Sequence, residues 1–215
     1  NREWSDLPEG YFQRYFYGDH HYIPDYTRVI EDNGQIVCTA QVVKRIVQCG
    51  DAVLTLGGIT NVWTRSDYRR RGYTTAIVSN ALDLIKADAM DIAIMPTGLR
   101  PFKNLGFELL ALSSASFLRN ESVFPNGFEI CDPKGSDYPS IYAIHREFNH
   151  KRPLAVERSE EYWRDWILKP HKDTIRIQMA KQDHEICGYA VYHDSNDGIE
   201  VCEFGCKSCC PEVIG

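Results

Sequence analysis

The chain has 215 residues, 43% of them hydrophobic and 25% charged, and a net charge of −6. This length supplies one large or two small domains with apolar cores, and the composition is that of a soluble globular protein. No apolar run approaches the ~18–20 residues of a membrane span and no basic-then-apolar secretory pattern opens the chain, so a cytoplasmic location is expected and a membrane partner is not. The acidic balance argues against nucleic acid as the main partner and suits a cationic substrate.

In chain order, the aromatic stretch Tyr11, Phe12, Tyr15, Phe16 and Tyr17 reads as helical and ends at Gly18. Asp25–Ile30 reads as a strand, Asn33-Gly34 takes the two-residue hairpin position, and Ile36–Val47 is the returning strand. After Cys49-Gly50-Asp51, two strands are expected at Ala52–Leu56 and Gly58–Thr64. An amphipathic helix follows over Tyr73–Ala87, its apolar positions being Ala76, Ile77, Ala81, Leu84 and Ile85. A buried strand at Ile92–Met95, a turn at Pro96-Thr97-Gly98, a short helix near Pro101–Leu105 and a strand at Phe107–Ser113 complete the first unit. The expected fold class is a mixed α/β sheet, an antiparallel meander followed by β-loop-α-β-α-β.

Residues 119–135 form a polar connection punctuated by Pro and Gly. Beyond it the pattern restarts, with helices at Pro139–Asn149 and Ser159–Leu168, the latter capped by Ser159. Strands are expected at Thr174–Lys181, Glu185–His193 and Ile199–Glu203. The domain reading is therefore residues 1–118, a linker over 119–135, and a second unit over 136–215.

Eight cysteines form no tidy disulfide framework, and reduced thiols are expected. Cys206-x-x-Cys209 with Cys202 upstream could be read as zinc-binding, but no second pair of ligands completes a site, so no metal is assigned.

The most informative segment is Gly57–Thr75, GGITNVWTRSDYRRRGYTT. A strand feeds a basic loop, and Gly72 leads directly into a helix. Unpaired N–H groups and the positive end of the helix dipole make such a junction an anion site. Gly72 permits close backbone approach or a positive φ, and Arg69, Arg70 and Arg71 add positive charge. A Walker loop and a dinucleotide fingerprint are both excluded by the glycine spacing.

The order Arg69-x-x-Gly72-x-Thr74 resembles the Q/R-x-x-G-x-G/A pyrophosphate loop of the GCN5-related N-acetyltransferases, with Thr74 where Gly or Ala is usual. Phe102-Lys103-Asn104-Leu105-Gly106-Phe107-Glu108 is similar to that family's Y-x-K-L-G-F-E segment. His145-Arg146-x-Phe148-Asn149, Arg158-Ser159-x-x-Tyr162-Trp163 and Cys187–Tyr192 resemble the second domain of the Eis-type branch, which joins two acetyltransferase-like domains to a sterol-carrier-like one. The resemblance implies an acyl-CoA N-acyltransferase fold followed by a partial second domain, the chain reading as cut within that domain.

It further implies acetyl-CoA as co-substrate and a small primary amine, such as an aminoglycoside, as acceptor. The pyrophosphate would lie on Arg70, Arg71, Gly72, Tyr73, Thr74 and Thr75. Main-chain groups of Val62, Trp63 and Thr64 would meet the pantetheine arm, and Pro96 and Thr97 would flank the acyl group. The family's proton-donating tyrosine is replaced by Phe102, leaving the general acid unassigned among water, Tyr73 or a cysteine. A catalytically weak acyl-CoA-binding or sensing module is the competing reading. The base is equally open: Glu31, Asp32, His20 and His21 are available, while Trp4, Tyr22, Asp25 and Tyr26 could line an amine pocket. Gly215 is not credited with the terminal-carboxylate role of that branch, and homo-oligomer formation by the full-length protein stays open.

Overall fold

Two residues with positive φ set the first hairpin. Asn33 (φ 51°) and Gly34 (φ 75°) turn the chain between β1 (Thr27–Asp32) and β2 (Gln35–Cys49). Asp32 pairs with Gln35, so the loop has the two-residue form whose twist matches the strands it joins. The computed structural model describes residues 18–96, 102–110, 127–150, 152–168, 175–195 and 198–211. The expected N-terminal aromatic helix, Trp4 and Thr97 lie outside them.

The chain divides into two compact units: His21–Val47 with Ala52–Phe117, and Leu118–Gly215 with Asn1–His20 and Gln48–Asp51. In the first, strands β1, β2, β3 (Ala52–Thr64) and β4 (Ile92–Ile94) lie side by side in that order. The pairing of β3 with β4 is parallel, Leu56 opposite Ile92 and Gly58 opposite Ile94, with helix α1 (Tyr73–Ala87) as the crossover. Its inward stripe is Ile77, Val78, Ala81 and Ile85, which pack with Cys38, Ala40, Val42, Ile59, Met90 and Phe102. Ala76, expected on that stripe, is exposed, and Val78 takes its place.

Several expectations are corrected here. Asp25 belongs to a 3₁₀ turn over Pro24–Tyr26, and β1 starts only at Thr27. The two strands expected between Ala52 and Thr64 are one continuous strand. The glycines that suggested a break serve packing: a Cβ on Gly57 would stand 2.7 Å from Ile85 Cδ1 and Cγ1 and 3.0 Å from Met90 Sδ. Gly57 thus brings α1 close to the sheet. Strand β4 ends at Ile94 and is half-buried instead of buried. Among the described residues of the next segment, only Lys103–Leu105 is helical, as 3₁₀. Phe107–Leu110 is not in a strand, and residues 111–113 lie outside the described set.

The C-terminal unit carries a sheet in the order β5 (Glu129–Cys131), β7 (Arg176–Gln182), β8 (Glu185–Ser195) and β9 (Gly198–Cys206), paired antiparallel throughout. Strand β5 falls inside the stretch expected to be a polar connection. Helix α2 (Tyr138–Asn149) packs against this sheet. A two-residue strand β6 (Ala155–Val156) precedes α3 (Glu160–Tyr162), whose N-cap Ser159 accepts a bond from the Tyr162 amide at 3.1 Å. The α-helix expected to run to Leu168 becomes a π-helical turn from Trp163 onward. The core is Ile141, Ile144, Trp163, Met179, Ile186, Tyr189 and Val191. Among the described residues no helix is long and apolar enough to cross a membrane.

A half-buried charged cluster lies against that second core. Arg158 pairs with Glu203 at 2.7 Å and lies over the Trp163 ring, 4.9 Å from its centroid. Tyr189 donates its hydroxyl to Glu203 at 2.7 Å, and His145 meets the Trp163 ring edge-on at 5.2 Å. His145 is buried, and burial, reinforced by the Arg158 charge, pushes its pKa down to about 4.

Two outcomes follow for stability. Gly57→Ala should destabilise by about 1–3 kcal/mol through overpacking against Ile85, whereas Gly58→Ala should stay within about 1 kcal/mol of neutral. The second site meets Val43 O only at 3.5 Å, and denaturant midpoints compare the two. For His145, the folded-state value lies below the ordinary one near 6.5, so the unfolded chain protonates first as the pH falls. The stabilisation is complete above about pH 6.5 and is lost as the pH drops towards 4, by about 2 kcal/mol at pH 5. Unfolding measured at pH 7 and pH 5 should show this loss, and His145→Gln should remove it.

Candidate functional site

The junction of β3, the arginine loop and α1 is assembled by hydroxyl groups. Thr64, the last residue of β3, is buried, and its Oγ1 lies 2.8 Å from Thr74 Oγ1 in the first turn of α1. On its other side the same oxygen is 3.1 Å from Cys38 Sγ on β2. The side chain at position 74 is therefore turned towards the strand end. This accommodates a threonine where the family pattern has Gly or Ala, because the added atoms bond to Thr64.

The loop between them is held by its own arginines. Arg69 Nε donates to Thr64 O at 3.2 Å, fastening the loop to the strand end. Arg65 pairs with both Asp67 oxygens, at 2.8 and 2.6 Å, which holds the Asp67 carboxyl below its usual range. Arg71 donates to Asp67 O at 3.1 Å and stacks over the Tyr68 ring, 4.8 Å from its centroid. Arg70 is exposed and takes a positive φ of 64°, and Gly72 follows at 85°.

Gly72 is the N-cap of α1 and supplies no capping side chain, so the amides of Tyr73, Thr74 and Thr75 open the helix without one. A Cβ built on Gly72 meets nothing within 4 Å, which leaves room for a ligand at the cap. Uncapped amides, the helix dipole and the neighbouring guanidinium groups together fit a pyrophosphate.

Beside the loop, β3 presents an edge that no other described strand covers. Its pairing with β4 stops at Gly58↔Ile94, while β3 continues to Thr64. Among the described residues no further strand covers that edge of Val62, Trp63 and Thr64. Asn61 interrupts the extended run with a φ of 51°, and it is held to β2 by two bonds: its amide donates to Gln41 Oε1 at 2.7 Å and its carbonyl accepts from Thr39 Oγ1 at 3.2 Å. The sequence reading missed Asn61. An Asn inside a β-branched run was its one available signal, since Asn tolerates positive φ.

Thus Val62, Trp63, Thr64, Arg70, Arg71, Gly72, Tyr73, Thr74 and Thr75 come together in one place. Pro96 follows β4 and is exposed. Phe102 is buried in the core, its ring edge-on to Phe107 at 6.4 Å. Several residues considered for the base or the amine pocket are committed to other contacts. His20 is bonded to Asp165 at 3.0 Å in the C-terminal unit. Tyr26 is buried and donates to Asp88 at 2.5 Å, at the far end of α1 from the loop; burial and that carboxylate push its pKa up to about 12. Asp32 accepts from Asn33 at 3.1 Å in the hairpin, and Glu31 is exposed on β1.

Removing the buried hydroxyl in Thr64→Val should cost about 1–3 kcal/mol, because Cys38 and Thr74 both lose their partner. Thr74→Ala should cost less than about 1 kcal/mol but speed amide exchange at Tyr73–Thr75, since the helix start is no longer tied to the strand. Denaturation and hydrogen exchange separate the two effects.

Residues 6–110 match the acetyltransferase (GNAT) domain family. No curated protein matches the chain. Among solved structures, the chain is similar to a GCN5-related N-acetyltransferase from Anabaena variabilis, with a TM-score of 0.70 and 15% identity over 94% of this chain and 53% of that one. It is similar as well to a conserved protein of unknown function from Enterococcus faecalis, named a probable N-acyltransferase, with a TM-score of 0.67 and 16% identity over 85% and 48% of the two chains. Eis1 from Mycobacterium abscessus gives a TM-score of 0.60 and 16% identity over 92% and 55%. The chain spans about half the length of each of these proteins. The match to the acetyltransferase (GNAT) domain family thus falls on residues 6–110, just under half of the chain, and the mixed α/β fold is shared with these solved structures.

Proposed function

We propose that the chain transfers an acetyl group from acetyl-CoA to a primary amine of a small molecule. The observation that carries this reading is the convergence of a strand edge that no other described strand covers, Val62–Thr64, with an uncapped helix start behind Gly72. Arg70, Arg71 and the amides of Gly72–Thr75 would hold the pyrophosphate, and the β3 edge would hold the pantetheine arm as a neighbouring strand would. Pro96 and Thr97 would flank the acyl group. The amine attacks the thioester carbonyl, the C–S bond breaks, the amine sheds a proton and the thiolate gains one.

Phe102 cannot supply that last proton, and its place in the core keeps it away from solvent. Reprotonation then falls to water or to Tyr73, at the head of α1. Loss of a placed acid costs roughly 10²–10⁴-fold, which a thiolate leaving group tolerates. The same observation supports a second reading, a catalytically weak acyl-CoA-binding or sensing module.

An aminoglycoside is the acceptor class we favour, supported by the net charge of −6 and the likeness to the Eis-type branch. A tandem arrangement, with the C-terminal unit as part of a second acetyltransferase-like domain, belongs to the same proposal. So does a partner set without nucleic acid or membrane.

Calorimetry and turnover test the reading. Gly72→Val should weaken acetyl-CoA binding at least tenfold, because a β-branched residue does not hold φ near 85° and its side chain occupies the open space at the cap. Arg69→Ala should weaken binding less. Equal effects would mean that the loop attracts by charge alone. Coenzyme A released in step with an amine supports the enzyme; tight binding without release across an amine panel supports the sensor, and no binding overturns both.

A further inference from the structure

The turn that follows β9 places two adjacent thiols against each other. Cys209 Sγ and Cys210 Sγ are 3.5 Å apart; Cys209 is exposed and Cys210 is buried. The turn is fixed at several points. Cys210 N donates to Lys207 O at 3.0 Å, and Lys207 N donates to Cys187 O on β8 at 2.8 Å. Ser208 donates its amide, at 2.9 Å, and its hydroxyl, at 2.7 Å, to Glu147 Oε1 on α2. Cys210 is buried in this unit, and the acyl-transfer site on α1 uses neither thiol.

Geometry decides what such a pair can take. Adjacent Cα atoms are about 3.8 Å apart, short of the ~4.4–6.8 Å range of unstrained disulfides. Closing the sulfurs to about 2.05 Å would therefore distort a turn that is pinned on both sides. Two thiolates on one tetrahedral ion at about 2.3 Å stand roughly 3.8 Å apart, close to the separation already present. Yet among the described residues no group of three or more His, Cys, Asp or Glu side chains is placed to hold a metal. The zinc reading of Cys206-x-x-Cys209 gains no support there. A thiophilic centre that needs two protein sulfurs and no more fits best.

We infer that Cys209 and Cys210 form a two-thiol capture site for a monosubstituted trivalent arsenical, R–As=O. Two As–S bonds form, the arsenic–oxygen bond is lost, and both thiol protons leave with that oxygen as water. Arsenic stays trivalent and its third bond stays on carbon, so no oxidant and no further ligand is required. The second As–S bond closes within the protein at high effective concentration, which makes the adduct resistant to competing monothiols. The shared hydrogen bond with Cys210 raises the Cys209 pKa. What distinguishes the pair from a single thiol is two-point capture by sulfurs 3.5 Å apart.

The inference concerns the C-terminal unit and does not rest on acyl transfer. The test treats the full native chain with phenylarsine oxide and reads adduct mass, thiol count and peptide location. One arsenical should be retained with loss of two thiols, survive excess monothiol, and be released by 2,3-dimercaptopropanol. Cys209→Ser, a change at an exposed position, should lower retention at least tenfold, as should Cys210→Ser. Cys49→Ser and Cys202→Ser should leave it unchanged. Unchanged retention in Cys209→Ser, or an adduct mapped to another pair of cysteines, would overturn the assignment.

Discussion

The hydrogen bond between Thr64 and Thr74 is the contact on which the candidate site depends. It joins the end of a strand to the beginning of a helix, across a loop whose backbone twice takes positive φ. Arg65, Arg69 and Arg71 brace the loop within itself, but three arginines in sequence repel one another. Without a tie at its ends, the amides of α1 would point in no fixed direction and the helix dipole would act on no fixed place. Cys38 extends the tie one strand further, so the site is anchored to β2 as well as β3.

The arginines divide the work in a way that charge alone conceals. Arg69 reaches back to a main-chain carbonyl, Arg65 is occupied by Asp67, and Arg71 is stacked on Tyr68 while bonded to the loop. A basic stretch that reads as uniform is thus partly structural. What would attract an anion is Arg70, the outward side of Arg71 and the amide groups behind Gly72.

Much of this was legible in the residues. The bounds of α1 follow from its apolar spacing and from Gly72 in front of it, and the first hairpin follows from Asn33-Gly34, because both signals are local. The continuity of β3 was not legible, since Gly57 and Gly58 look like a break until Ile85 and Met90 are seen packed against Gly57. That contact joins residues far apart in the chain. The same holds for Tyr26, which seemed free to line a pocket and is instead committed to Asp88. Strand β5 was lost in a Pro- and Gly-rich stretch because a three-residue strand is fixed by its partner β7, not by its own pattern. Of the site itself, the loop was readable as a motif. The edge of β3 that no other described strand covers was not, because it arises from where β4 stops.

The contact between Gly57 and Ile85 carries an evolutionary consequence. A larger residue at 57 gains space when 85 shrinks, and a smaller residue at 85 leaves a void that a side chain at 57 could fill. Substitutions at the two positions are therefore coupled: single changes are selected against, and compensating pairs survive. In an alignment of relatives, positions 57 and 85 should vary together while Gly58, which has room to accept a side chain, drifts independently of both.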